Sequence, residues 1–431
     1  MSTNGNGPGS SKMTSSLKEN LLDRMRNTHQ SSERNRMARS EREMPPPARR
    51  QQARFEDLPE YKQVQTQKFA SEQLGIANPF YRAHQTAAGA TTVIDGRKLI
   101  NFASYDYLGL NRHPEVLARA KETVETFGIS ASASRLVAGE RPVHVELEEK
   151  IARFYGVDAA VCFVSGYLTN VAAISCLMGP KDLVVHDEFI HNSALAGIKL
   201  SGATRRLFKH NDANDLEHVL RTVDEAHSLG VVGKHGRGLA EHFGVDPNEI
   251  DIWMGTLSKT TSSCGGYIAG SEALVAVLKA SAGGFVYSVG LAPVLAASAA
   301  ASLDVLAREP SRTAALRRNG ALFLKLAKEA GLDTGLSSGF SVVPVLVGDS
   351  LRAVQLSNDL LAAGVNALPI IHPAVPEGLA RLRFFITSDH TEEQIRKTVT
   401  LTAERLKDLT ERNFGLGGID IDQMMKALSA R

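Results

Sequence analysis

Lys259 stands in the run TLSKTTSSCGGYIAG, residues 256–270, directly after the apolar stretch Ile252 to Met254, and the acidic run VDEAH lies upstream at 223–227. A primary amine condenses with an aldehyde, hydroxyls and backbone N–H groups at a strand end bind a phosphate, and a nearby carboxylate keeps a pyridine nitrogen protonated. Lys259, the hydroxyls of Thr256 and Ser258, and Asp224 are the three parts that pyridoxal phosphate requires, in the right order. Each alone is ordinary: a lysine in a Ser/Thr/Gly turn is usually solvated, and an isolated acid of this kind is usually a helix cap. Their conjunction points to the cofactor.

Such groups have to be held at strand ends. Residues 161–164, 183–185 and 252–254 read as buried strands, and 169–177, 193–200 and 291–307 carry helical patterning. This alternation predicts an α/β, doubly wound domain. From about residue 312 the pattern changes to a long helix, a strand at 341–347, a helix at 350–363, a strand at 383–387 and a last helix near 391–411, which predicts a smaller α+β domain. The expected division is a basic extension (1–54), an N-terminal arm (55–105), a large cofactor-binding domain (106–310), a small domain (311–412) and a tail (413–431).

The 431 residues, 43% hydrophobic and 22% charged, are ordinary globular material. No apolar run approaches the roughly 20 residues that span a bilayer, and the first thirty residues lack a secretory apolar core, so the cytoplasm is the expected compartment. Cys162, Cys176 and Cys264 show no CxxC spacing, so neither a disulfide framework nor a zinc site is indicated. Net charge is +2, but residues 1–54 hold eleven Lys and Arg against five Asp and Glu. This basicity is confined to one segment and gives no reason to expect nucleic-acid binding. The extension reads as a solvated tail, with a docking helix around Leu17, Leu21, Leu22 and Met25 for an acidic partner such as an acyl carrier protein as the sharper alternative.

Further motifs accompany the lysine: SYDYLGL at 104–110, SASASRLVAGERPVHVELE at 130–148, FVSGYLTN at 163–170, DEFIHNSAL at 187–195, FKHND at 208–212, VDEAHSLGVVGKHGRG at 223–238, YSVGLAP at 287–293 and ARLRFFITSDHT at 380–391. Over roughly residues 75–410 the chain resembles the α-oxoamine synthases, a fold type I pyridoxal phosphate family that includes serine palmitoyltransferase, aminolevulinate synthase and amino-oxononanoate synthase. The resemblance implies a large mixed-sheet domain, a small C-terminal domain and a homodimer. It also implies a decarboxylative condensation of an amino acid with an acyl thioester, giving an α-amino ketone.

Position by position, the resemblance implies that Lys259 forms the imine and later moves the α-proton, and that Asp224 bonds the pyridine nitrogen. His191 would stack on the cofactor ring, and His227 would approach its phenolic oxygen and the substrate carbonyl. Ser165, Gly166 and Tyr167 would hold the phosphate from one side and Thr256 and Ser258 from the other, with Ser288 reaching across the dimer interface. Arg383, with Arg381 as fallback, would bind the amino acid carboxylate, because a planar guanidinium suits that bidentate contact. On pattern alone, alternating arginines and apolar residues also describe a half-exposed strand. His144 and His210 read as structural.

One departure stands out: only eleven residues separate Asp212 from Asp224, where the family inserts another strand and helix with a Glu-Gly-x-x-Ser-Met-x-Gly-Asp segment. The helix-like stretch 214–221 leaves two residues before Asp224, too few for a buried strand, so the sheet is expected to lose a strand or rearrange. Asp224 would then be poorly supported, and cofactor affinity and folding impaired. Two alternatives to an active acyltransferase stay open: a non-catalytic or deletion form that pairs with a complete subunit, and an aminotransferase on the same fold.

Overall fold

A computed structural model describes residues 54–210 and 222–415. Twelve strands, β1 to β12, are distributed over four sheets among these residues. The central sheet has the order β3 (Ala159–Phe163), β8 (Gly266–Gly270), β7 (Ile252–Thr256), β6 (Thr222–Asp224). β6 runs parallel to β7, whereas β8 is antiparallel to both β7 and β3, so the sheet is mixed.

Every residue of β8 is buried, and its composition follows from what lies against it. A Cβ at Gly266 would stand 2.5 Å from Thr169 Oγ1 and 2.7 Å from Gly166 Cα, so the helix Gly166–Leu177 approaches to backbone distance. On the other face Trp253 stacks on Tyr155 at 4.4 Å between ring centroids, and the Tyr155 and Tyr267 hydroxyls are 2.5 Å apart. Leu147, Ile151 and the alanines of the helix Pro293–Arg308 complete this layer. Loss of such a buried aromatic costs about 3–5 kcal/mol.

β4 (Leu183–Asp187) and β5 (Thr204–Phe208) form a parallel pair of their own, to which no other described strand is hydrogen-bonded. Expected as a buried strand, β4 is only partly covered, and β5 is largely exposed. Thr222 to Asp224, expected to be too short for a strand, do form one, because three residues suffice to pair with Ile252 to Met254.

The C-terminal half packs the helices Pro310–Glu329, Ser350–Ala362 and Glu392–Glu411 on the antiparallel sheet β11 (Leu368–Ile370), β12 (Ala380–Phe385), β9 (Val342–Gly348). β12 begins three residues before its expected start, since Ala380 and Leu382 are fully buried and continue the inward alternation. β1 (Thr91–Ile94), β2 (Arg97–Asn101) and β10 (Val365–Asn366) make a third sheet. The core here is Phe102, Phe323 and Phe384, with His390 stacked on Phe102 at 4.1 Å.

Cys162, Cys176 and Cys264 are free thiols. Among the described residues no cluster suits a metal ion, and no helix is long and apolar enough to cross a membrane. The basic extension before Arg54, with its docking-helix expectation, and the tail beyond residue 415 lie outside the described residues.

Candidate active site

Lys259 lies in the turn that joins β7 to β8, and two clamps fix that turn. Thr260 Oγ1 donates to the Leu229 carbonyl at 2.6 Å, and Ser262 Oγ donates to Asp106 Oδ1 at 2.9 Å. Asp106 also accepts from the N–H groups of Leu110 and Asn111, so the SYDYLGL turn and the lysine turn share one carboxylate. The amine lies 5.8 Å from the centroid of the Tyr105 ring. Burial lowers its pKa and the Asp224 carboxylate partly restores it, which raises the share of neutral, nucleophilic amine.

Asp224 ends β6, with Oδ1 accepting from the Ala226 N–H at 2.9 Å. The loop after it is anchored by Glu225, which is fully buried, takes the Ser228 hydroxyl and accepts the Leu239 N–H at 2.9 Å. That anchor presents His227 to the site. Its Nδ1 is 2.9 Å from the Tyr107 hydroxyl, and Tyr107 is fully buried.

His227 is open to solvent on one side, yet burial on the others, with Lys259 and Arg383 nearby, lowers its pKa to about 3. Its imidazole is therefore neutral at physiological pH. Burial also keeps Tyr107 protonated, and Ser341 hydrogen-bonds its oxygen. With Ser341 taken as donor, Tyr107 gives its proton to Nδ1, and the His227 ring proton sits on Nε2 by inference from this network.

His191 caps the helix Asn192–Ser201 by accepting the Ser193 N–H at Nδ1, and its ring lies edge-on to Tyr167 at 6.4 Å. Ser165 caps the helix Gly166–Leu177 by accepting the Leu168 N–H. The start of that helix lies against β7: a Cβ at Gly166 would be 2.8 Å from Thr256 Oγ1, and Ser258 Oγ is 2.7 Å from the same oxygen. A helix N-terminus facing two hydroxyls suits a phosphate. On β12, Arg383 and Arg381 project from one face, and only Arg383 bears electrostatically on His227 and Tyr107. Arg381 instead donates to the Leu379 carbonyl.

Asp224, His227, His191 and Arg383 thus lie near one another and near Lys259, whereas Arg381 and Ser288 make their hydrogen bonds elsewhere. Ser288 makes its hydrogen bond to the neighbouring Val289 carbonyl and is not brought to the cluster within one chain. His144 is fully buried, with Nε2 2.6 Å from the Leu291 carbonyl, and is structural as expected. Tyr105, Tyr107 and Asp106 are site residues that the role assignments passed over, although the SYDYLGL motif that holds them was visible.

A cavity of about 850 Å³ opens beside this cluster, reaching Asp224 and His227 from β6 and Asp187, His191 and His210 from the β4–β5 side. The fit to pyridoxal phosphate rests on a lysine amine whose pKa burial lowers, a helix N-terminus at Gly166 packed directly against the Thr256 and Ser258 hydroxyls, and the Asp224 carboxylate near the amine.

The sequence matches the family described as aminotransferase class I and II over residues 97–222 and 217–400, and the chain belongs to that family. Among curated proteins it is 34% identical to 8-amino-7-oxononanoate synthase 1 of Bacillus velezensis, over 75% of this chain and 93% of that one. It is 34% identical to 8-amino-7-oxononanoate synthase of Symbiobacterium thermophilum, over 78% and 96%. Serine palmitoyltransferase of Sphingomonas wittichii has the same fold, with a TM-score of 0.78, 25% identity and coverage of 83% of this chain and 99% of that one. Within the family the chain is an α-oxoamine synthase, a pyridoxal phosphate-dependent acyltransferase type that condenses an amino acid with an acyl thioester and releases carbon dioxide.

Proposed function

We propose that Lys259, Asp224, His227, His191 and Arg383 carry this condensation, with the phosphate held by Ser165, Gly166, Tyr167, Thr256 and Ser258. Bound pyridoxal phosphate supplies an electron sink for the pair left at the α-carbon when a proton or carbon dioxide departs. Lys259 would hold the aldehyde through its amine and would take and return the α-proton, a task suited to an amine whose pKa is lowered. Asp224 keeps the ring nitrogen protonated. Arg383 binds the substrate carboxylate as a fork, and neutral His227 donates from Nε2 to the acyl carbonyl oxygen, where negative charge develops. His191 covers one face and limits water.

What supports this reading is that Lys259 and Arg383 both lie near enough to His227, and Asp224 near enough to Lys259, to act on them electrostatically, while Asp224 and His227 line the cavity. Ser288 and the exposed Tyr287 beside it, at 89% exposure, fit a second copy that completes the phosphate site, which makes the enzyme a homodimer. The acyl donor is a thioester of coenzyme A or of an acyl carrier protein, and the compartment the cytoplasm. The test is thiol release from acetyl-CoA, longer acyl-CoAs and carrier-bound acyl groups against a panel of amino acids. Thiol and carbon dioxide released in equal amounts support the reading; keto acid exchange without a thioester defeats it in favour of an aminotransferase.

A further inference from the structure

The central sheet ends at β6, and β4 belongs to a separate pair, so each has a strand on one edge only among the described residues. The cavity lies between them. Its walls are the ends of β4 and β5 and the end of β6, and its apolar lining includes Phe189, Leu239, Phe243 and Ile250. Phe189 and Phe243 are 64% and 71% exposed, an uncommon state for phenylalanine. β4 with β5, and β6 with β7, are both parallel ladders, the kind that normally lies buried inside a sheet.

The family match is interrupted at the same point. The family match stops at residue 222, the first of β6, and restarts at 217. The alignment with the Bacillus velezensis enzyme runs over 364 residues but uses 75% of this 431-residue chain, about 323 residues, which leaves roughly forty positions without a counterpart. The Symbiobacterium thermophilum alignment, 378 residues over 78% of the chain, leaves about the same number. Forty residues are enough for a strand and its crossover helix, which need at least about a dozen.

We infer that the gap between β4 and β6 is the seat of a parallel β-strand that these relatives carry in their own chain, and that this protein accepts such a strand from a separate polypeptide. The occupant is an extended segment of four or five residues, apolar towards Phe189 and Phe243, that bonds through its main chain to both open edges.

The test uses the full chain and a labelled synthetic peptide covering the roughly forty Bacillus velezensis residues opposite the interruption. Saturable one-to-one binding is expected, with hydrogen exchange at 183–187 and 222–224 slowed tenfold or more. A chimera carrying the same residues after Asp212 is expected to melt several degrees higher and to bind the peptide at least tenfold more weakly. The inference is overturned if the edge amides of β4 and β6 in the chain alone exchange as slowly as those of β7. It is equally overturned if the chimera melts no higher and still takes up the peptide. None of these readouts depends on turnover.

Discussion

The two sides of the pocket are built to different standards. On the β7–β8 side, Lys259, Thr256 and Ser258 stand on a sheet packed on both faces, and the lysine turn is tied to Asp106 and to the Leu229 carbonyl. On the β6–β4 side, Asp224 ends a three-residue strand, and His191 caps a helix that follows the partly covered β4. The proposed covalent and phosphate anchors follow a strand paired on both sides, while the strand of the proposed ring acid is paired with β7 alone among the described residues. Cofactor capture and cofactor activation can therefore fail separately.

Mutations can probe that difference. Lys259→Ala should cost the most, on the order of 10³-fold or more in turnover, and abolish the imine absorbance and the mass added at the 259 peptide after borohydride trapping. Asp224→Asn should leave trapping at Lys259 intact yet lower turnover by about 10²- to 10³-fold. Equal loss of both signals would erase the distinction between the two sides. Arg383→Lys should raise KM for the amino acid by about 10- to 100-fold with a smaller change in kcat, whereas Arg381→Lys should shift it less than threefold; steady-state kinetics decide.

The last two predictions concern His227 and its hydrogen-bond partner. His227 has its pKa lowered to about 3 in the folded chain, against an ordinary 6.5, so between those values the unfolded chain binds the extra proton. Stability should fall as pH drops from about 6.5 towards 3, and His227→Asn should lessen that acid sensitivity modestly in thermal melts. Tyr107→Phe removes the partner of Nδ1 and should lower kcat by about tenfold with little change in KM.

The sequence alone revealed the lysine side of the site better than the rest. The motif around Lys259 follows an apolar run, and both the strand and the turn were legible from it. β8 was hidden, because GYIAG reads as a glycine turn and becomes a strand only through close contact with the helix Gly166–Leu177. β6 was hidden by length, since three residues carry no periodicity and pairing with β7 alone defines them. Tyr107 illustrates a third kind of loss: an apolar position before Leu108 reads as core, which it is, and the hydroxyl's partner is 120 residues away.

The carboxylate of Asp106 joins two turns 156 residues apart. Neither turn can settle alone, so the amine at 259 gains its working posture only after distant stretches of chain have met, a slow closure by the entropy of long loops. Vitamin loading should then come late, once both turns have met. A newly made chain carrying a bound chromophore would report its own maturation.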